Sequence, residues 1–201
     1  MPGPDFDALA ARLTGSLVAL EPIDARHEPG LRAAASDPRI FAWMPYRLSE
    51  PAIFDAWLAG VQEAAERREL AAFATVEQAG GTVIGSTCYL APRPHDRSVE
   101  IGGTWLAPPA WRTGANVEAK LLMLAHAFET LGCVRVELKT DARNERSRRA
   151  MAALPAQFEG IHRQHMVLPD GTLRDSAWYS VIDREWPDVR ANLERRLAAR
   201  R

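Results

Sequence analysis

Between Trp111 and Glu118 the chain runs Trp-Arg-Thr-Gly-Ala-Asn-Val-Glu, a short polar loop that feeds an apolar, periodic segment. A helix starting there leaves backbone N–H groups unpaired and a partial positive charge at its end, which together suit a phosphate. Gly114 lets the backbone approach an anion closely, Arg112 adds a full charge and Thr113 a hydroxyl, while Ala115, Asn116 and Val117 form the first turn. The same residues also fit an ordinary strand-to-helix turn. No Gly-Lys-Ser/Thr ending marks a nucleotide P-loop, and one glycine stands where a dinucleotide fingerprint needs three. Further on, Asn144 followed by Ser147 is the pattern of a helix N-cap with a polar first turn. His162 and His165 lie three apart in a strand-like run, which predicts opposite faces and argues against a shared metal site. No other Cys/His spacing suggests a metal.

The elements that must position these residues follow from the pattern. Residues 17–20 predict a short strand and 29–35 a helix ending before Asp37-Pro38. After an aromatic connector containing Trp43 and Tyr46, Ser49 is the expected N-cap of a helix reaching about Arg68, with Pro51 in its first turn. Strands at 70–76, 82–90 and 98–106 form an antiparallel meander, the last alternating Val99, Ile101, Gly103 and Trp105 against Ser98, Glu100, Gly102 and Thr104. Val117, Leu121, Leu124, Phe128 and Leu131 then recur at spacings of four and three, a helix stopped by Gly132. A strand at 134–139 completes a strand–helix–strand crossover, which implies one parallel pair. A helix at 145–154, a hairpin pairing 158–168 with 173–182, and a charged helix at 185–197 close the chain. The fold class is therefore mixed α/β, with a mostly antiparallel sheet of about seven strands flanked by helices.

A length of 201 residues suits one well-buried domain, and we expect residues 1–16 as an extension and 17–201 as the domain. The formal charge of −1 gives no reason to expect nucleic acid, and the basic run at 143–149 is accompanied by acidic residues, as on a solvated or phosphate-facing helix end. Cys88 and Cys133 form no CxxC and fit buried, reduced thiols. No apolar stretch approaches the ~20 residues of a membrane span, and residues 1–16 lack a signal peptide's apolar core. A cytoplasmic enzyme or binding protein is the expectation.

Three stretches carry a family resemblance: VEIGGTWL (99–106), WRTGANVEAKLLMLAHAFETLGCVRVELKTDARNERSRRAM (111–151), and EGIHRQH with DGTLRDSAWYSV (within 159–181). In this order and spacing they resemble the Gcn5-related N-acetyltransferase superfamily, in its ribosomal-protein and small-molecule acetyltransferase branch, from about residue 17 to 186. In that family a Gln/Arg-x-x-Gly-x-Gly/Ala loop wraps the coenzyme A pyrophosphate. Here the pattern falls on Trp111, Gly114 and Asn116, of which Gly114 alone matches outright.

The resemblance implies acetyl-CoA as co-substrate, no metal, and a thioester lying between the strands at 99–106 and 134–140, which splay apart there. A backbone N–H of Trp105 or Leu106 would face the carbonyl oxygen. Amines are mostly protonated at neutral pH, so a base is needed. Glu100 is the leading candidate, acting through water, although an ion-paired strand carboxylate fits it equally; Glu137 is weaker. Asn144 would hydrogen-bond the pantetheine or position water, and Ser147 would protonate the leaving thiolate, since no tyrosine occurs in that helix. The acceptor groove falls on Trp43, Tyr46 and the last hairpin, with His162, Arg163, His165, Arg174 and Asp175. The acceptor is an amine, either a protein N-terminus or a small molecule, with no nucleic acid or membrane partner, and a homodimer fits. A non-catalytic acyl-CoA-binding protein of the same fold is the alternative.

Overall fold

Short turns between strands with one apolar face make the first half of the chain an antiparallel meander. The structure is a computed structural model and describes residues 6–200. Its strands are β1 (Leu13–Thr14), β2 (Val18–Pro22), β3 (Leu70–Glu77), β4 (Val83–Arg93), β5 (Ser98–Leu106), β6 (Arg135–Asp141), β7 (Gln157–Val167) and β8 (Leu173–Ile182). The helices are α1 (Glu28–Ala34), α2 (Pro51–Glu66), α3 (Ala115–Ala125), α4 (Glu145–Ala153) and α5 (Trp186–Ala198). The eight strands lie in the order β1-β2-β3-β4-β5-β6-β8-β7. Among the described residues only β5 and β6 pair in parallel, joined by the crossover that carries α3. The strand beyond the expected seven is β1, within the segment read as an extension; residues 1–5 of that segment lie outside the described residues. Leu9, also in that segment, packs into the main core.

On one face of the sheet α3, α4 and α5 cover Val99, Ile101, Val136 and Leu138. Met123, Leu124 and Leu193 are fully buried there, each contributing ~1.5–3 kcal/mol relative to exposure. On the other face α1 and α2 pack Leu31, Phe54 and Leu58 against Ala74 and Trp105. Those two helices pack mainly on β4 and β3, while the same face of β6 and β8 is lined by polar side chains, Glu137, Lys139, Arg174 and Ser176 among them. Both cysteines are buried free thiols. Among the described residues no helix is long and apolar enough to cross a membrane.

Three local expectations need correction. Glu50 caps α2, in place of Ser49, without a side-chain hydrogen bond, because Pro51 already takes the first helical position. The helix expected to run to Leu131 changes at His126 into a single π turn, His126–Thr130. The alternation of β5 also breaks. Ser86 pairs with Trp105 and Cys88 with Gly102, so Thr87 alone stands opposite Gly103 and Thr104. This is a β-bulge, and Gly103 absorbs it at φ +58°. The extra residue shifts the phase: Trp105 joins the α2 face, and Thr104 turns toward α3, where it meets Lys120.

Candidate functional site

At the start of α3, Gly114 is the N-cap with φ +103°, a backbone state that glycine adopts without strain. A side chain there would also press on Leu17 at 3.1 Å and Arg200 at 3.4 Å. Thr113 Oγ1 donates to the Ala110 carbonyl at 2.8 Å and accepts the Ala115 N–H at 3.3 Å. Its hydroxyl is thus directed into the loop and is not the outward donor that the sequence suggested. Asn116 and Val117, in the first turn, keep N–H groups without intrahelical acceptors. Arg112 is itself at φ +65°, and its carbonyl accepts Arg200 Nη1 from the end of α5 at 2.6 Å. Glu118 stiffens the same turn from below: its carboxylate accepts the backbone N–H groups of Ser16, Leu17 and Val18.

The strand β5 leads into this loop from its last residue, Leu106, and pairs with β6 only near its start. The two strands pair only over Ser98–Arg135, Val99–Val136 and Glu100–Glu137, although β5 continues to Leu106 and β6 to Asp141. Beyond the last rung β5 keeps its partner β4 on one side. Trp105 directs its carbonyl at β4, where a Gly85 Cβ would lie 2.1 Å away. Backbone groups alternate sides along a strand, so the Leu106 N–H faces away from β4. The Leu106 carbonyl points the same way and accepts Trp111 Nε1 at 2.7 Å. Of the two candidate donors, Leu106 is therefore the one with an N–H aimed off the sheet's paired side.

Glu100 is 3% exposed, and Lys139 Nζ donates to its Oε2 at 2.5 Å. Its Oε1 lies over Gly102, where an added Cβ would come within 2.7 Å. Of its two sequence readings, the ion-paired one is what the geometry displays. Glu137 is held by Arg93 at 2.8 Å and Arg135 at 3.0 Å, with no access to this space. Beyond the end of β6, Asn144 Oδ1 accepts the Ser147 N–H at 3.1 Å and caps α4. Arg146, in the first turn of α4, lies 4.9 Å over the Trp111 ring. The loop before α3 and the start of α4 are thereby brought together.

The polar face of β6 and β8 carries a side-chain cluster. Lys139 Nζ lies 5.0 Å over the Trp178 ring, and His162 stacks on the same ring at 4.7 Å. His165 meets Trp178 edge-on at 5.6 Å, and its Nδ1 lies 3.0 Å from Ser176 Oγ. The two histidine rings are 5.8 Å apart on one side, contrary to the opposite faces expected from their spacing. A bulge between His162 and Met166, with Gln164 at φ +49°, resets the alternation. Burial and nearby Lys139 hold the His165 imidazole below its usual pKa. Among the described residues no group of three His, Cys, Asp or Glu side chains could hold a metal. Asp175 accepts the Gln164 N–H at 2.6 Å and so ties down the bulge beside a shallow cleft lined by Arg163, Gln164 and Asp175. Burial pushes the Tyr46 phenol well above its ordinary pKa. Trp43 is 40% exposed at the rim, with Arg143 at 5.5 Å over its ring.

Several contributors were not singled out by sequence reasoning. Lys139 could have been found from the parallel register, since it lies two residues beyond Glu137 and so shares the face of Glu100. Lys120 is buried on α3, donating to Thr104 Oγ1 at 2.7 Å; its spacing, three after Val117 and four before Leu124, sets it beside the apolar stripe, but its charge argues for solvent. Trp178 lies in a strand that alternates as expected, but its role depends on the β7 bulge.

An acetyltransferase (GNAT) domain model matches residues 18–157. A GCN5-related N-acetyltransferase structure from Brucella melitensis superposes with a TM-score of 0.85 at 33% identity, covering 96% of this chain and 86% of that one. RimJ from Mycobacterium smegmatis, in complex with CoA-disulfide, has a TM-score of 0.80 at 20% identity, covering 99% and 98%, and shares the fold. The uncharacterized N-acetyltransferase YoaA of Bacillus subtilis (strain 168) is 31% identical over 100 residues, 50% of this chain. That match spans 55% of the curated relative's length.

Proposed function

The chain belongs to the GNAT acetyltransferase family, and on that premise we propose that it moves the acetyl group of acetyl-CoA directly onto an amine. The observation that carries the reading is the junction of two features. One is a glycine-capped helix start with unpaired N–H groups at Asn116 and Val117. The other is the three-rung β5–β6 ladder, which stops at Glu100–Glu137 while β5 runs on alone on that side to Leu106 and into the loop before α3. The CoA bound by the mycobacterial RimJ, which shares this fold, supports the same coenzyme here.

The pyrophosphate rests on the first turn of α3, held mainly by backbone N–H groups and the charge of Arg112. Because Thr113 is engaged within the loop, side chains contribute less than the sequence suggested. The pantetheine arm passes between Trp111 and the start of α4, and the thioester lies past the last β5–β6 rung. There the Leu106 N–H is the donor to the carbonyl oxygen, which gains charge as the amine adds. The amine nitrogen forms a bond to the carbonyl carbon, the C–S bond breaks, and the amine's proton passes through water to Glu100. Ser147 gives its hydroxyl proton to the departing thiolate and regains the amine's proton from Glu100 through water, so both residues end as they began. With a thiol pKa of about 8.5 that assistance is modest.

The acceptor enters over the polar face of β6 and β8, between Trp43 and the β7–β8 hairpin, and is a small-molecule amine or a protein N-terminus. The test is thiol release from acetyl-CoA against a panel of free amines and N-terminal peptides, with the acetylated product identified by mass. Turnover of at least one acceptor is expected. Tight coenzyme binding with no acceptor consumed would identify a binding protein instead.

A further inference from the structure

Arg174 stands on β8 one residue before Asp175, on the face that also carries Ser176 and Trp178. It is only 6% exposed. An arginine removed from water normally pairs its guanidinium with a carboxylate or several carbonyls, because an uncompensated buried charge is costly. Among the described residues, however, Arg174 Nε has no hydrogen-bond partner. The acid best placed to take it, Asp141, already gives both oxygens to Arg143, at 3.0 and 2.8 Å. Glu100 gives Oε2 to Lys139. Burial pulls the Arg174 guanidinium below its ordinary pKa, with the fields of Asp141 and Glu100 opposing that pull. Two further buried donors near this face, the indole N–H groups of Trp178 and Trp105, also lack acceptors. Donors therefore remain unpaired around the groove.

We propose that Arg174 receives a carboxylate of the acceptor, so that the substrate is a small amine bearing its own carboxylate, an amino acid or close analogue. The proposal rests on the acetyl-transfer reading and names its acceptor class. The chemistry is complementary: Glu100, in the last rung of the β5–β6 ladder, draws the amine, and Arg174, whose guanidinium feels the charge of Glu100, draws the acid. A guanidinium binds a carboxylate through two parallel N–H bonds, which fixes orientation as well as affinity. A protein N-terminus has no carboxylate beside its amine and leaves Arg174 unpaired.

The experiment compares free L-amino acids with their carboxamides as acceptors, using the whole protein and acetyl-CoA, in the natural form and as Arg174→Met. The natural protein is expected to favour acids over amides in kcat/KM by about 10- to 100-fold, the range of one charged hydrogen-bonding partner. In Arg174→Met the ratio falls to about one. Removing an unpaired buried charge should leave the melting temperature unchanged or higher, whereas a structural arginine would lower it. Equal use of acids and amides by the natural protein, or a ratio unmoved by Arg174→Met, would overturn the proposal. Calorimetric binding of the free amino acids in the presence of CoA separates the two readings. Binding lost in Arg174→Met, with no turnover of any amine, would keep the anion site and sink acetyl transfer. Turnover of amides and peptides with no effect of the carboxylate would do the reverse.

Discussion

Glu100 on β5 and Lys139 on β6 are joined by an ion pair of 2.5 Å where the parallel β5–β6 ladder ends. The pair sets the lysine as a neighbour of any proton the carboxylate accepts, and it leaves Oε1 over Gly102 as the oxygen that can serve a water. Glu100→Gln should lower kcat about 100-fold, within the usual range for loss of a general base, while hardly changing acetyl-CoA affinity. Lys139→Met, by contrast, should chiefly lower stability, by about 1–3 kcal/mol, because it strands a buried carboxylate. Steady-state kinetics and urea melts separate the two. Full turnover by Glu100→Gln would make the pair structural only.

Lys120 gives the protein a distinctive pH dependence. Burial on α3, with only Thr104 and Thr87 hydroxyls as partners, pulls its pKa from 10.5 down to about 7. Below pH 7 the lysine is charged in both folded and unfolded states, and the folded state bears the cost of desolvation. Above pH 7 the unfolded chain holds the extra proton, so stability rises with pH by up to about 1.4 kcal/mol per unit. Burial raises Cys88 to about 12 and Cys133 to about 11, which adds an opposing slope once unfolded thiols ionise near ~8.5. The window is therefore pH 7 to about 8.5. Lys120→Met should be more stable than the natural protein at pH 6, with the advantage shrinking across that window. An advantage independent of pH, measured by urea unfolding, would contradict the buried charge.

These residues show what the sequence makes legible. Spacings of four and three located α3, and Gly132 marked its end, because a one-sided apolar stripe has few alternatives. The parallel pair followed from a strand, a helix and a strand with short links. What stayed hidden were interruptions of period. The bulge at Gly103–Thr104 moves Trp105 to the α2 face, and the bulge before Met166 brings His162 and His165 to one side. A bulge adds one residue without changing composition, so alternation read along the sequence loses its phase there. The helix start after Gly114 was legible in the sequence, yet the inward turn of Thr113 depends on the Ala110 carbonyl, which only the folded loop supplies. Arg174 was visible in the hairpin, but its lack of a partner is a property of packing.

Asn144 has two duties that substitution can divide. Its Oδ1 caps α4 through the Ser147 N–H, and its amide is the proposed contact to the pantetheine. Asn144→Ala should cost about 1 kcal/mol of stability and also weaken acetyl-CoA binding. Asn144→Asp preserves the cap and should keep the stability while losing the amide donor. Ser147→Ala should lower kcat more than it weakens coenzyme binding. Unchanged turnover in Ser147→Ala would remove it as the thiolate's proton source.

The central claim is that the turn capped by Gly114 holds the coenzyme's pyrophosphate, and titration calorimetry tests it without any acceptor. The comparison is acetyl-CoA against S-acetylpantetheine, which keeps the thioester and arm but lacks the phosphates. The natural protein should bind acetyl-CoA at least about 100-fold more tightly, the worth of one or two charge-assisted contacts. Gly114→Val forces a β-branched residue to φ +103° and against Leu17 and Arg200, and should cut that preference about tenfold or more. Equal affinity for the two donors, or an acetyl-CoA dissociation constant unmoved by Gly114→Val, would contradict the account.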